Sequence, residues 1–438
     1  MVYTDRGNSS FESRGHKKSA VMLIMFICIY LSDALLFTYN SSTLLSTTIP
    51  QYGLVLLALS FLGMDLHKRK FVINMRFAAM LLICGLLVAE SIIHGELRGG
   101  YISKISLFIL GYCLFDYFPQ EDLIRAYKKW MDIICVASLV GLVFGRVIVS
   151  FGFFPSITSI LGRRYIFLLL TNVPVHDMIR NYGPFTEPSR FQAFICLALI
   201  FELFNHEIDE RLNWKRVVLY LVTIVTTFSA TAYIAVAFIL IAYLTSSEVS
   251  LGIGNRTALI IVLVAAVALL VNFSSGVNIA VTKLQLGERS ESFTVRVNSI
   301  IGGLRVALNN PIFGTGFGNY QSEYMNAISD LAVSRSHVST NTMILYFSKF
   351  GVIIGLYYAV NVFTMLKSFT KTYTAMMLFL GFFFSASGIS LVDSIIFTSI
   401  IFYRGFNDKK VFASQTAMPS EEMMATRRRV YEMQRRPK

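Results

Sequence analysis

Charge is scarce in this chain: 15% of its 438 residues are Asp, Glu, Lys or Arg, against about 25% in an ordinary soluble domain. So low a charge, beside so many apolar side chains, excludes a disordered chain and an ordinary cytosolic enzyme. Cysteine is also sparse. Cys28, Cys84, Cys113, Cys135 and Cys196 all fall inside apolar runs, and no Cys-x-x-Cys pair occurs. That excludes a secreted disulfide scaffold, and the five read as small core hydrophobes without a redox or metal role. A phosphate-binding loop with Gly-Lys-Ser/Thr is missing, as is a dinucleotide fingerprint opening a helix after a strand, so no cofactor is expected.

What is abundant is apolar. The hydrophobic share is 55% and the mean hydropathy +0.60. A bilayer-spanning helix needs about 20 mostly apolar residues. Apolar runs lie near 20–37, 43–64, 74–93, 101–118, 130–150, 189–205, 216–229, 230–246, 257–274, 341–366, 373–388 and 389–403. The reading is an all-α, polytopic integral membrane helical bundle of about 12 transmembrane helices. Residues 216–246 could form one helix; they are divided at Phe228-Ser229-Ala230-Thr231, which keeps the charge pattern consistent. The first run follows Arg14, His16, Lys17 and Lys18 as a signal peptide would. It contains Asp33 and lacks a small-x-small cleavage site, so it is expected to be a retained span.

The net charge of +13 divides by position. With both termini cytoplasmic, the inner segments collect 25 of the 39 basic residues, including Lys68-Arg69-Lys70, Lys128, Lys129, Lys215 and Arg216. They also include the basic tail 404–438, whose main physical effect would be attraction to anionic lipid. This is the positive-inside pattern of a multi-pass protein, and it removes the case for nucleic-acid binding. The domain layout is therefore a transmembrane domain over 1–403 and a cytoplasmic tail over 404–438.

Two outer connections, about 151–188 and 275–340, are much longer than a turn requires. They hold Arg163, Arg164, Arg180, Lys283, Arg289, Arg296, Arg305 and Arg335, with Arg190 at the edge of the next span. Long loops escape the positive-inside rule. Arginine nevertheless outnumbers lysine there, and its planar fork suits phosphate, so an anion site on the outer face is the functional reading.

In the second loop Val297, Ile300, Ile301, Leu304 and Leu308 recur at helical spacing from Phe293 to Leu308. This predicts an amphipathic helix along the membrane surface, with Arg289, Arg296 and Gly303 on one stripe and Arg305 opposite. Pro311-Ile-Phe-Gly314-Thr-Gly316-Phe-Gly318 follows. Its glycines permit a tight turn and close backbone approach to a ligand, or simply end the preceding helix. His337 stands near the entry to the span that opens at Asn341, where it could take a proton from a hydroxyl or be a solvated loop residue. The first loop ends Gly183-Pro184-Phe-Thr-Glu187-Pro188-Ser-Arg190, which fixes Glu187 and Arg190 at the outer end of a span; they could pair with each other.

Taken in order, these features resemble the O-antigen polymerase/O-antigen ligase family of integral membrane glycosyltransferases. The features are Arg296 with the amphipathic stretch, Pro311-x-x-Gly-x-Gly-x-Gly, the polar entry to a span carrying Gly351-x-x-x-Gly355, and Gly-x-Phe-x-Glu-Pro over 183–188. In one departure Thr340 stands where the family often has His before the Asn, and His337 lies three residues earlier. The resemblance implies an oligosaccharide repeat unit linked through pyrophosphate to a polyprenyl lipid. Arg296, Arg289 and Arg180, with Arg190, Arg305 and Arg335 nearby, would bind the pyrophosphate. His337, or failing it Glu187, would deprotonate the acceptor hydroxyl. The long loops carry only Asp177 and Asp330 as aspartates and no Asp-x-Asp pair, so no metal is expected. The expected partners are the lipid-linked oligosaccharide, membrane lipid, and a flippase and chain-length regulator of the same pathway. The expected location is the bacterial cytoplasmic membrane. A ligase, or a flippase of a different class, is the competing reading. Asp33, Glu90, Glu202, Lys349 and Asp393 stand in or near spans as a transporter's charges would, but no internal repeat accompanies them.

Overall fold

A computed structural model describes residues 19–30, 49–68, 75–95, 99–151, 156–158, 164–168, 170–175, 180–185, 187–204, 212–246, 292–329, 341–387 and 390–403, with isolated positions between 254 and 269. Arg289, Arg335, His337 and the tail 404–438 lie outside the described residues.

Helices dominate. In chain order they are α1 (Ser19–Tyr30), α2 (Ile49–Lys68), α3 (Met75–Ile93), α4 (Gly99–Tyr117), α5 (Gln120–Phe151), α6 (Pro188–Phe204), α7 (Trp214–Thr226) and α8 (Ala230–Thr245). There follow α9 (Ser292–Asn309), α10 (Gly316–Ala327), α11 (Thr342–Phe369), α12 (Thr372–Ser385) and the short α13 (Ile395–Ser399).

The helix α6 is the axis of the packing. All 17 of its residues are buried, and between Ala193 and Phe201 it is apolar around its whole circumference, as an enclosed helix must be. α7, α8, α5 and α12 pack against it, and α12 lies along α8. On the outer surface α3, α5, α7 and α11 expose Leu82, Ile92, Val143, Val147, Val218, Val222, Leu356 and Val360. An apolar belt of this kind needs a lipid or protein cover. Two of the described helices, Met75–Ile93 and Thr342–Phe369, are long and apolar enough to cross a membrane. Ser19–Tyr30, Ala230–Thr245 and Thr372–Ser385 are apolar but shorter. A mainly helical architecture is observed, whereas a count of 12 spans is not established.

Residues 216–246 form two helices. The turn at Thr227-Phe228-Ser229 takes Phe228 to φ 48, and Thr227 N–H closes α7 on Ile224 O. In the first long loop the structure departs from the sequence reading, which foresaw no strands there. Strands β1 (Ser156–Thr158), β2 (Arg164–Leu168) and β3 (Thr171–Pro174) form an antiparallel sheet in the order β1-β2-β3. It leans on α5, where Gly141 and Gly145 leave room for Val173.

The amphipathic helix of the second loop is α9. Ser299, Gly302, Gly303 and Val306 face the protein, while Ile301, Leu304 and Leu308 stay exposed. The predicted apolar stripe thus faces away from the bundle, as an interfacial helix requires.

Charge inside the bundle gathers at the two ends of α6. At its C-terminal end Glu202 accepts from Lys128 Nζ and Arg216 Nη1, each at 2.9 Å, and from the Asn213 backbone N–H at 3.0 Å. Arg216 Nε also meets Asp132 at 2.9 Å, and Tyr220 donates to Asp132 at 2.8 Å. This network fastens α5, α6 and α7 together. The other end of α6 carries Arg190.

Candidate functional site

Between α12 and α13 the chain leaves helical geometry, and its carbonyls are taken up by side chains from three other helices. Gln192 Nε2 on α6 donates to Ser385 O at 2.7 Å, and Arg190 Nη2 donates to Ser390 O at 3.1 Å. Thr342, at the start of α11, donates its backbone N–H and its hydroxyl to Ala386 O and accepts from Leu391 N–H. Lys104 Nζ on α4 donates to Val392 O. Asn341 caps α11 by accepting from Ile344 N–H at 3.0 Å, and its amide reaches Ser387 Oγ at 2.6 Å. Irregular backbone inside a membrane bundle is tolerated only where it is buried in protein or lines a cavity. Here its described residues are held by those side chains, and among them Asp393 is exposed.

Asp393 Oδ1 lies 2.9 Å from Lys104 Nζ; Lys104 is 1% exposed, but the aspartate side chain is 69% exposed. Lys349 and Arg190 also act on this carboxylate electrostatically, and Arg190 is itself buried. Lys104 of α4 thus pairs directly with an open carboxylate just before α13, and Lys349 of α11 and Arg190 of α6 act on it electrostatically.

Lys349 is brought there by a break in α11. Gly351 has φ 77 and ψ 178, which interrupts the helix two residues later. A Cβ at Gly351 would stand 2.0 Å from Ile312 O, and one at Gly314 (φ 63) would stand 2.3 Å from Lys349 O. The two backbones cross in contact and exchange hydrogen bonds: Thr315 N–H to Ser348 O at 3.0 Å, Val352 N–H to Pro311 O at 2.7 Å. Only glycine allows both the positive φ and the close approach. Lys349 Nζ then lies over the Phe317 ring at 5.2 Å and the Tyr320 ring at 5.1 Å, both from α10. Tyr101 packs edge-on against Phe317 and donates to the buried Glu90 at 3.0 Å. The ring of His94 lies beside Gly316.

Residues 217–359 match the O-antigen ligase family model. No curated protein and no solved structure matches the chain. The match supports the O-antigen ligase/polymerase family, whose members are membrane proteins. It covers α7 to most of α11, and so includes the glycine crossing, Phe317, Tyr320 and Lys349. Arg190, Lys104 and Asp393 lie outside it.

The residues singled out from the sequence fall in several places. Arg190 joins the cluster. Glu187 sits at the start of α6, half-buried, and accepts from Ser189 Oγ at 3.2 Å. Arg180 donates through Nε to Thr227 O at 3.3 Å and lines a small pocket with Ser138, Asn172 and Asn181. Arg305 donates to Ala327 O at 2.8 Å, at the end of α10. Arg296 lies on α9. Gly314 and Gly316 meet protein atoms closely, and Gly318 lies within α10.

Lys104, Tyr101 and His94 were not among the candidates, and Asp393, like Lys349, stood out only as a charge in or near a span. Lys104 and Asp393 are 289 positions apart, and each is an isolated charge among apolar residues, a signal that marks an enclosed polar contact without naming its partner. Among the described residues no group of three or more His, Cys, Asp or Glu is placed to hold a metal ion.

Proposed function

We propose that the protein polymerises polyprenyl-pyrophosphate-linked oligosaccharide repeat units into an O-antigen, capsular or exopolysaccharide at the outer face of the bacterial cytoplasmic membrane. The family match points to glycan transfer of the O-antigen ligase/polymerase type. The observation that carries the reading is the grouping of Lys104, Lys349 and Arg190 around the open Asp393. The segments leading into α4, α6 and α11 are those that the charge distribution assigns to the outer side, so the cluster belongs at the outer mouth of the bundle.

In the proposed reaction an acceptor sugar hydroxyl attacks the anomeric carbon of a second, lipid-linked chain. The new glycosidic C–O bond forms as the bond to the pyrophosphate oxygen breaks, and the electron pair departs with the polyprenyl pyrophosphate. Cations fixed near that oxygen stabilise the charge as it develops. Arg190 contributes from α6, with Arg180, Arg289, Arg296, Arg305 and Arg335 as further pyrophosphate contacts from the two loops. His337, or Glu187, takes the hydroxyl proton. Cleavage of the lipid pyrophosphate supplies the driving force, and no metal or other cofactor takes part. A flippase would deliver the substrate, and a chain-length regulator would act on the product.

Transfer of a finished glycan to another acceptor is the second reading, favoured by the match to the O-antigen ligase family model. Deleting the gene separates the readings. Loss of a polymerase leaves single repeat units on the outer side, and loss of a ligase leaves long chains on the polyprenyl lipid. Loss of a flippase traps single units inside.

A further inference from the structure

Lys349 is the least paired of the cations at the site. Arg190 and Lys104 each donate to a backbone carbonyl of the 390–393 segment, and Lys104 also pairs with Asp393. No carboxylate among the described residues lies within 4.0 Å of Lys349 Nζ. Its ammonium is held by the faces of Phe317 and Tyr320, and the charges that act on it are Asp393 and Lys104.

The attraction of two aromatic faces for an ammonium falls well short of what several waters supply. A methionine or leucine would fill the same slot without the cost of an enclosed charge. The sequence nevertheless places a lysine there, two residues before a helix break. The break leaves Lys349 about two helical turns inside the mouth formed at Thr342.

Asp393 completes the picture. Its carboxylate pairs with Lys104, is acted on electrostatically by Lys349 and Arg190 as well, and is largely open. A lysine held only by two aromatic faces, near a carboxylate that is itself exposed and already paired with Lys104, makes a site ready to receive a second anion.

We propose that Lys349, held between Phe317 and Tyr320 beside Lys104, forms a phosphate-binding subsite within the bundle, with Asp393 as its resident counter-anion in the unliganded protein. This rests on the glycan-transfer reading and adds to it the place where a phosphate of the lipid carrier is received. The loop arginines would meet the same pyrophosphate from outside, and Lys349 from within. Phe317 and Tyr320 follow the glycine crossing directly, so the Gly-rich motif acts by setting the position of this lysine.

Binding of farnesyl pyrophosphate to the full-length protein in detergent tests the subsite, with farnesol as the control lacking phosphate. Lys349→Met should weaken farnesyl pyrophosphate binding about tenfold or more and leave farnesol binding unchanged, and Lys349→Arg should stay within about threefold of the parent. Asp393→Asn should bind the probe at least as tightly as the parent, because the resident anion is gone. In the parent protein, farnesyl pyrophosphate but not farnesol should protect Lys349 from acetylation, which reads the subsite without any substitution. Equal binding by the parent and Lys349→Met, or unprotected Lys349 in a parent that binds the probe, overturns the subsite alone. A parent that does not prefer farnesyl pyrophosphate to farnesol overturns the glycan-transfer reading together with it.

Discussion

Lys104 Nζ lies 2.9 Å from Asp393 Oδ1, yet the lysine is sealed at 1% exposure while the aspartate side chain is 69% exposed. The lysine does two tasks at once, fixing the backbone at Val392 and orienting the carboxylate beside it. Lys104→Met should remove both. The expected result is loss of chain extension in a complemented deletion strain, with the protein still in the membrane. Retained long chains at normal abundance would count against any role for the pair.

Gly351 should tolerate no side chain. An alanine there would carry its Cβ to within 2.0 Å of Ile312 O at φ 77, so it meets a clash as well as the left-handed penalty of about 1–3 kcal/mol. Gly351→Ala should lower thermal stability in detergent and abolish transfer. Gly85→Ala on α3, where nothing lies within 4 Å, should leave both unchanged.

Glu202 is surrounded by Lys128, Arg216 and the Asn213 N–H. Removing it takes the carboxylate away from the buried Lys128 and leaves Arg216 with Asp132 alone of its two carboxylates, a change costing on the order of 3–5 kcal/mol. Glu202→Ala should therefore cut folded yield and melting temperature strongly. The double substitution Lys128→Met/Glu202→Leu should recover part of the loss. Additive losses in the double variant would show that the two residues do not act as a pair.

These sites differ in how far the sequence discloses them. The spacing of Ile301, Leu304 and Leu308 located α9, since helical periodicity is a local property of the chain. The division at Phe228-Ser229-Ala230-Thr231, made to keep the charge pattern consistent, falls on the turn between α7 and α8. Strands of three to five residues, as β1 to β3 are, are too short to declare an alternation, and their pairing depends on α5 beneath them. The glycines of 314–318 announced a tight turn, but their partner Gly351 lies in another helix, so a backbone crossing was not legible. Lys128 and Arg216 counted as charges that orient the chain in the membrane. Their second task, neutralising Glu202, emerges only when α5, α6 and α7 are in contact.

The base of the reaction calls for its own test. His337→Ala should stop transfer if His337 accepts the hydroxyl proton, with repeat units accumulating on the lipid. Glu187→Gln should then have a smaller effect, because Glu187 is already engaged by Ser189. Unchanged activity in His337→Ala, with loss in Glu187→Gln, would move the base to Glu187.

The most direct test of the account is reconstitution of the purified protein in vesicles with a single polyprenyl-pyrophosphate-linked repeat unit. The account predicts products of two or more repeat units, with one polyprenyl pyrophosphate released for each new glycosidic bond. Movement of intact single units across the vesicle membrane, with no bond made and no polyprenyl pyrophosphate released, would contradict it.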